Sequence, residues 1–226
     1  MNPSKASEGP GVQDRIERAL ALRDRYPEAR EALEFYAAIA GFRGDWQDLR
    51  AVVAAKGPSL LREAAGLVSE IEFKAAVDRY LHGEDRESPA SFFARVMLRH
   101  SLPKAASPHA NRCPHCGGVP QCGCMRPEGH GSAFFLVCNV CASEWAFPRA
   151  QCPVCGEMDR AVFYGSERMD HIQVQVCEHC NRYFHVIHAG KDPRAVPEAD
   201  EVAAIALDVW AHEQGWDKIL PNLIGI

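Results

Sequence analysis

Apolar side chains recur every three or four positions through the first hundred residues and then cluster in short alternating runs, so the chain is expected to pass from helix to strand. From Asp14 to Tyr26, Ile16, Leu20 and Leu22 stand among charges. Pro27 then opens Glu28 to Ala40, with Leu33, Tyr36, Ala37 and Ala40 on one stripe. Gly57-Pro58-Ser59 is a stop-and-start signal. After it, Leu60, Leu61, Ala64, Leu67, Val68, Ile71, Ala75 and Leu81 outline one longer amphipathic segment ending at Gly83. Phe92, Phe93, Val96 and Met97 suggest a further helix. Nothing in this spacing points to catalysis, and core packing accounts for these aromatics.

Beyond residue 130 the pattern changes. Ala133 to Val137, Glu144 to Phe147, Ala161 to Tyr164, Ile172 to Val176 and Tyr183 to Ile187 carry the β-branched and aromatic residues of short strands. Ala199 to Gln214 returns to helical periodicity through Val202, Ile205, Val209 and Trp210, with Gly215 as its stop. The tail holds Leu220, Leu223, Ile224 and Ile226, too apolar for a free terminus. It is expected to pack back, with a partner surface as the alternative. Pro103 and Pro108, among alanines and serines, mark a connector. The expected organisation is a helical domain over 1–104, a linker over 105–112, ribbons over 113–151 and 152–190, and a C-terminal helix and tail over 191–226.

Cysteine placement sharpens this picture. All ten cysteines lie between Cys113 and Cys180, and eight form Cys-x-x-Cys pairs on a 39-residue repeat: Cys113/Cys116 and Cys138/Cys141 recur as Cys152/Cys155 and Cys177/Cys180. Each copy opens with Cys-Pro-x-Cys-Gly and separates its pairs by 21 residues. Trp145 and Phe184 are equivalent positions. Two cysteines three apart on a tight turn can aim both sulfurs at one ion, and a second turn returned by a hairpin completes a tetrahedron. Gly117 and Gly156 suit such turns, because glycine reaches positive φ without steric cost. A ribbon of about 40 residues is too small to fold on its own apolar core, so metal capture becomes folding energy. The competing reading, a disulfide framework, fits poorly with Met1 to Gly11, which has no apolar run of a signal peptide. A cytoplasmic chain without membrane insertion is expected.

With 226 residues, 47% hydrophobic and a formal charge of −5, the chain can bury one ordinary core plus an appendage. Cys113 to His188 contains five arginines, no lysine and seven acids. That excess of negative charge argues against nucleic acid as partner, since phosphate binding draws its affinity from released counterions. Cys122 and Cys124 have no repeat counterpart, their equivalents being Ala161 and Phe163. They read as ordinary thiols of the first hairpin, with a redox pair or alternative ligands as the sharper reading. His115, His130, His171, His179, His185 and His188 are expected to be solvated non-ligands, because four thiolates already fill each site. Thiolate count does not separate zinc from iron.

The order Arg112-Cys-Pro-x-Cys-Gly, Leu136-Val-Cys-x-x-Cys, Glu144-Trp145, Arg149, Cys-Pro-x-Cys-Gly, Val176-Cys-Glu-x-Cys-x-x-Tyr183 and Ala204 to Gly215 resembles the formate dehydrogenase accessory protein family. The match covers residues 112 to 226; residues 1 to 104 share only helical character with the family. The resemblance implies an α+β protein: a helical N-terminal domain, two rubredoxin-like or zinc-ribbon modules and a C-terminal helix. It implies a cytoplasmic, non-enzymatic assembly factor that contacts the catalytic subunit of formate dehydrogenase. Two metal ions, iron favoured over zinc, would sit on Cys113, Cys116, Cys138, Cys141, Cys152, Cys155, Cys177 and Cys180. Alternatives are a rubredoxin-like electron carrier or thiol redox protein, and a nucleic-acid-binding zinc-ribbon protein.

Overall fold

The computed structural model describes residues 9–82, 88–99 and 110–225. Most of the expected linker, the segment end at Gly83, and Ile226 lie outside them. Among the described residues six α-helices come first: α1 (Val12–Arg25), α2 (Arg30–Ile39), α3 (Trp46–Lys56), α4 (Ser59–Leu67), α5 (Glu70–His82) and α6 (Pro89–Leu98). The strands follow as β1 (Pro120–Glu128), β2 (Gly131–Cys138), β3 (Glu144–Ala146), β4 (Ala161–Gly165), β5 (Ile172–Cys177) and β6 (Arg182–His188). After them come α7 (Pro197–Ala203), α8 (Ile205–Glu213) and the two-residue β7 (Asp217–Lys218). The architecture is α+β, as the apolar pattern predicts.

The expected single helix from Ala199 to Gln214 is instead α7 and α8, parted at Ala204, and Val209 is 56% exposed. Three further departures from the sequence reading have local causes. Helix α3 was not expected, yet it carries a start signal. Asp45 accepts from the backbone of Gln47 and Asp48 at 2.8 and 2.9 Å while the Asp48 carboxylate accepts from Asp45 N at 3.1 Å, a reciprocal cap. The single amphipathic segment from Leu60 to Leu81 is two helices. Ser69 and Glu72 cap each other at the break: Glu72 N donates to Ser69 Oγ at 3.2 Å and Ser69 N to Glu72 Oε2 at 2.8 Å. Within α4, Leu61 and Ala64 are buried while Leu60 and Leu67 are 60% and 81% exposed; beyond the break Ile71 is 81% exposed, so these three leucine and isoleucine side chains lack their expected inward role. Strand β1 was also missed, because Pro120, Gly123 and Pro127 interrupt its alternation. A Cβ at Gly123 would lie 2.5 Å from the Phe134 ring, so the strand keeps a glycine where an aromatic crosses it.

The two ribbons fuse into one sheet of order β3-β2-β1-β6-β5-β4, with β7 also on β6. Each ribbon is an antiparallel three-stranded unit. The first strand of one joins the last strand of the other in parallel, with Gly123, Cys124 and Met125 opposite Val186, Ile187 and His188. The repeats therefore run in tandem along a shared sheet.

Helix α7 ties this sheet to the helical layer. Ala199, Val202 and Ala203 enter the same core as Leu22, Leu33, Phe35 and Phe93, and Leu223 and Ile224 of the tail join them. Trp46 stacks on Phe73 with centroids 4.4 Å apart in that core. Every residue of α7 is buried, including Glu198, Asp200 and Glu201. Arg18 of α1 pairs with Asp200 and, at 2.7 Å, with Asp192. Arg99 and Arg15 pair with Glu198, which also accepts from Tyr36 Oη at 3.3 Å. His171 Nε2 lies 2.8 Å from Asp200. Buried carboxylates persist only with partners of this kind, so α7 is held to the first helices by charge as well as by packing.

Candidate metal centres

Each quartet is assembled from two turns that the sequence makes locally. In the first turn Cys113 N donates to Gly118 O and Gly117 N to Cys113 O, both at 2.8 Å. In its repeat Cys152 N donates to Glu157 O at 2.9 Å and Gly156 N to Cys152 O at 3.0 Å. Gly117 and Gly156 have φ of 74° and 79°, the left-handed geometry the motif predicts. The second turns close through Ala142 N to Cys138 O at 3.2 Å and Asn181 N to Cys177 O at 2.8 Å. Ala142 and Asn181, 39 residues apart, have φ of 57° and 58°. Strands β1, β2 and β3, and their copies β4, β5 and β6, bring the turns together.

The sulfurs of Cys113, Cys116, Cys138 and Cys141 lie within 4.8 Å of one another, as do those of Cys152, Cys155, Cys177 and Cys180. Separations are 3.6 Å for Cys113 to Cys141, 3.4 Å for Cys116 to Cys138 and 3.5 Å for Cys116 to Cys141. Cys152 to Cys180 and Cys155 to Cys177 are both 3.7 Å. A disulfide needs about 2.05 Å. A tetrahedron of sulfurs about 2.3 Å from a zinc-sized ion has edges of about 3.8 Å, so the donor set fits a tetrathiolate metal. Such a site is closed, with no position left for substrate. Burial of Cys138 and the S–H groups around it push its thiol up, while bonds from Cys113, Cys116 and Cys138 pull Cys141 down. Four thiolates held this close together would need a cation among them.

The surroundings differ sharply. Cys113 and Cys138 are completely buried in a cluster with Ala76 and Tyr80 of α5, Ala94 and Leu98 of α6, and Trp145 and Phe147, and Cys116 and Cys141 pack against it. Arg95 of α6 donates to Asn139 O at 2.8 Å and to Gln121 Oε1 at 2.6 Å; Asn139 Nδ2 donates to Tyr80 Oη at 2.6 Å. Around the second quartet, Val154 to Arg160 are all exposed, Cys155 among them. None of its four cysteines belongs to an apolar cluster among the described residues.

Cys122 and Cys124 join neither quartet. Both are fully buried among Val137, Ile187, Ala189 and Ala195. Burial pushes Cys124 up to about 12 and Cys122 upward as well, which disfavours thiolate chemistry. The expectation of solvated histidines fails at His171 and His185, which are 1% and 0% exposed because they sit on or beside the sheet face that α7 and α8 cover. His185 lies 3.8 Å from Glu201 and 3.4 Å from Asp208. This third group of possible ligands already contains a cation: Lys218 Nζ pairs with Glu201 and, at 2.9 Å, with Asp208, which also accepts from Tyr183 Oη at 2.9 Å.

Comparison with known proteins bears on both quartets. The FdhE central domain matches residues 112–149, and the FdhE C-terminal domain matches residues 150–224. The chain belongs to the FdhE family. An FdhE homolog from Aquifex aeolicus is 39% identical over 118 residues, covering 51% of this chain and 42% of the relative. One from Haemophilus influenzae is 29% identical over 126 residues, 55% of this chain and 42% of the relative. The chain therefore spans less than half the length of these FdhE relatives in the matched region. The crystal structure of the FdhE protein from Pseudomonas aeruginosa shares the fold, with a TM-score of 0.59 and 21% identity over 97% of this chain and 98% of that one.

Proposed function

We propose that this chain is a metal-binding assembly factor for formate dehydrogenase that binds the catalytic subunit of the enzyme. The observation that carries the reading is the pair of tetrathiolate-shaped cages in a chain of the FdhE family. Cys113, Cys116, Cys138 and Cys141 would hold one ion, and Cys152, Cys155, Cys177 and Cys180 a second, with iron favoured over zinc by the family resemblance. The ions would fix the turns and strands of the ribbons into one recognition surface. A closed four-ligand site has no open position, so neither Lewis-acid nor hydrolytic catalysis is assigned to it, and the protein acts by binding. Its place of action is the cytoplasm. No helix among the described residues is long and apolar enough to cross a membrane.

The test is capture of the catalytic subunit by the metal-loaded chain. Native protein should retain it, and chains carrying serine at Cys113 and Cys116, or at Cys152 and Cys155, should not. Equal capture by metal-free protein would refute the role given to the ions. A rubredoxin-like electron carrier is the second reading, favoured by the exposure of Cys155, through which an electron could reach a partner. An iron-loaded chain whose colour bleaches and returns on reduction and reoxidation would support it.

A further inference from the structure

We infer that the two metal centres are kinetically unequal, the second exchanging its ion through Cys155 while the first retains its own. The inference rests on the reading of both quartets as metal sites. Ligand exchange at a closed tetrathiolate begins when an incoming donor reaches the ion and one cysteine sulfur leaves, so exposure of the leaving sulfur and of the turn beside it governs the rate. At the second centre that path is open. Cys155 is exposed, Val154 and Met158 on either side of it are 48% and 47% exposed, and Glu178 and His179 of the opposing turn are exposed as well.

At the first centre the equivalent positions are less open: Cys116, the counterpart of Cys155, is half-buried. His115 and Val119, the counterparts of Val154 and Met158, are half-buried, and Asn139 and Val140, the counterparts of Glu178 and His179, are buried. Helices α5 and α6 close over Asn139 and Val140, with Tyr80 and Arg95 bonded to Asn139. Gly118 completes the cover by approaching so closely that a Cβ there would stand 2.7 Å from Cys138 Sγ. An attacking ligand must first lift this turn from the helices. In the second centre the step needs no such opening: a chelator donor forms its bond to the ion, the Cys155–metal bond breaks, and the released thiolate takes a proton from water. No electron changes hands.

The zinc-loaded full chain, mixed with excess chromophoric chelator, should release two ions in two phases of equal amplitude, separated by at least ~10-fold in rate. Cys155→Ser should abolish the fast phase and leave the slow one. Tyr80→Phe should accelerate only the slow phase. Because a variant could misfold, the unaltered chain loaded with cadmium-113 provides an independent measurement. Couplings to the cysteine β-protons assign each cadmium resonance to its quartet, and the chelator should extinguish the signal of Cys152, Cys155, Cys177 and Cys180 first. Two ions leaving together, or the other signal vanishing first, would overturn the inference while sparing the two-centre reading. A chain that binds fewer than two ions would instead overturn that reading.

Discussion

Asn139 and Glu178 stand at the same place in the two repeats, each directly after the third cysteine of its quartet, and their surroundings are opposite. Asn139 is buried, with its carbonyl taking a bond from Arg95 and its amide reaching Tyr80; Glu178 is exposed. The same turn thus serves as core in one ribbon and as surface in the other. A short motif can close around an ion by itself, but whether that closure supports the rest of the fold depends on what packs against it. The first ribbon is joined to α5 and α6 across its Cys138–Cys141 turn. The second is joined to α7 and α8 along β6, through Tyr183 and His185 and through Lys218 of the neighbouring β7.

Paired substitutions test this asymmetry, and the largest effect is expected at the ligands. Cys138→Ser should cost at least about 3 kcal/mol and loosen α5 and α6, because it removes an ion and unpacks a shared core. The equivalent Cys177→Ser should leave the helical signal nearly intact. Urea unfolding followed by far-ultraviolet circular dichroism measures both, and equal losses would erase the distinction between the centres. Gly118→Ala comes next. Its Cβ would meet Cys138 Sγ at 2.7 Å and Asn139 Oδ1 at 3.0 Å, an overpacking expected to cost about 1 to 3 kcal/mol. Glu157, the counterpart of Gly118, is exposed and already carries a side chain, so Glu157→Ala should change stability by less than about 0.5 kcal/mol in the same assay.

The polar cluster beneath α7 and α8 gives a pH-dependent test on the second ribbon. Burial pushes Glu201 up to about 7 from 4.5, with Lys218 opposing and Asp208 adding to the shift. Its folded pKa is raised, so its contribution is complete below about 4.5 and is lost as pH rises toward 7. Burial drives His185 down to about 4 from 6.5, with Asp208 opposing and Lys218 assisting. That contribution is complete above 6.5 and is lost as pH falls toward 4. The two slopes oppose each other in between. Glu201→Gln should therefore lose about 1 to 2 kcal/mol more than the parent when the pH drops from about 7 to about 5. Thermal melts of the zinc-loaded proteins across that interval read the difference, and parallel curves would contradict the assigned shifts.

The smallest effect should be symmetric. Gly117→Ala and Gly156→Ala each force alanine into a positive φ with no neighbour within 4 Å, so each should cost about 1 kcal/mol of stability in matched denaturation curves. A large inequality here would mean that the turns themselves differ, and not only their surroundings.

Much of this was legible in the chain because it depends on neighbours in sequence. The quartets follow from four tight turns, and Gly117 and Gly156 occupy the conformation their position predicts. The capping pairs Asp45/Asp48 and Ser69/Glu72 were equally available, yet the apolar stripe from Leu60 to Leu81 masks the second pair by continuing through it. Strand β1 was hidden for the opposite reason: Gly123 and two prolines weaken its alternation, and only the Phe134 ring lying across it explains the glycine.

Glu198, Asp200 and Glu201 mark the limit of sequence reading. Pro-Glu-Ala-Asp-Glu resembles a solvated helix start, and it becomes a buried helix because Arg15, Arg18, Arg99 and Lys218 arrive from distant elements to balance it. The sequence by itself determined eight sulfurs in two cages, since the geometry that aims two thiols at one point is contained in a turn of a few residues. Tertiary structure decided which cage is roofed by helices and which faces water, because burial is a property of surfaces brought together from far apart in the chain, and no local spacing encodes what will cover it.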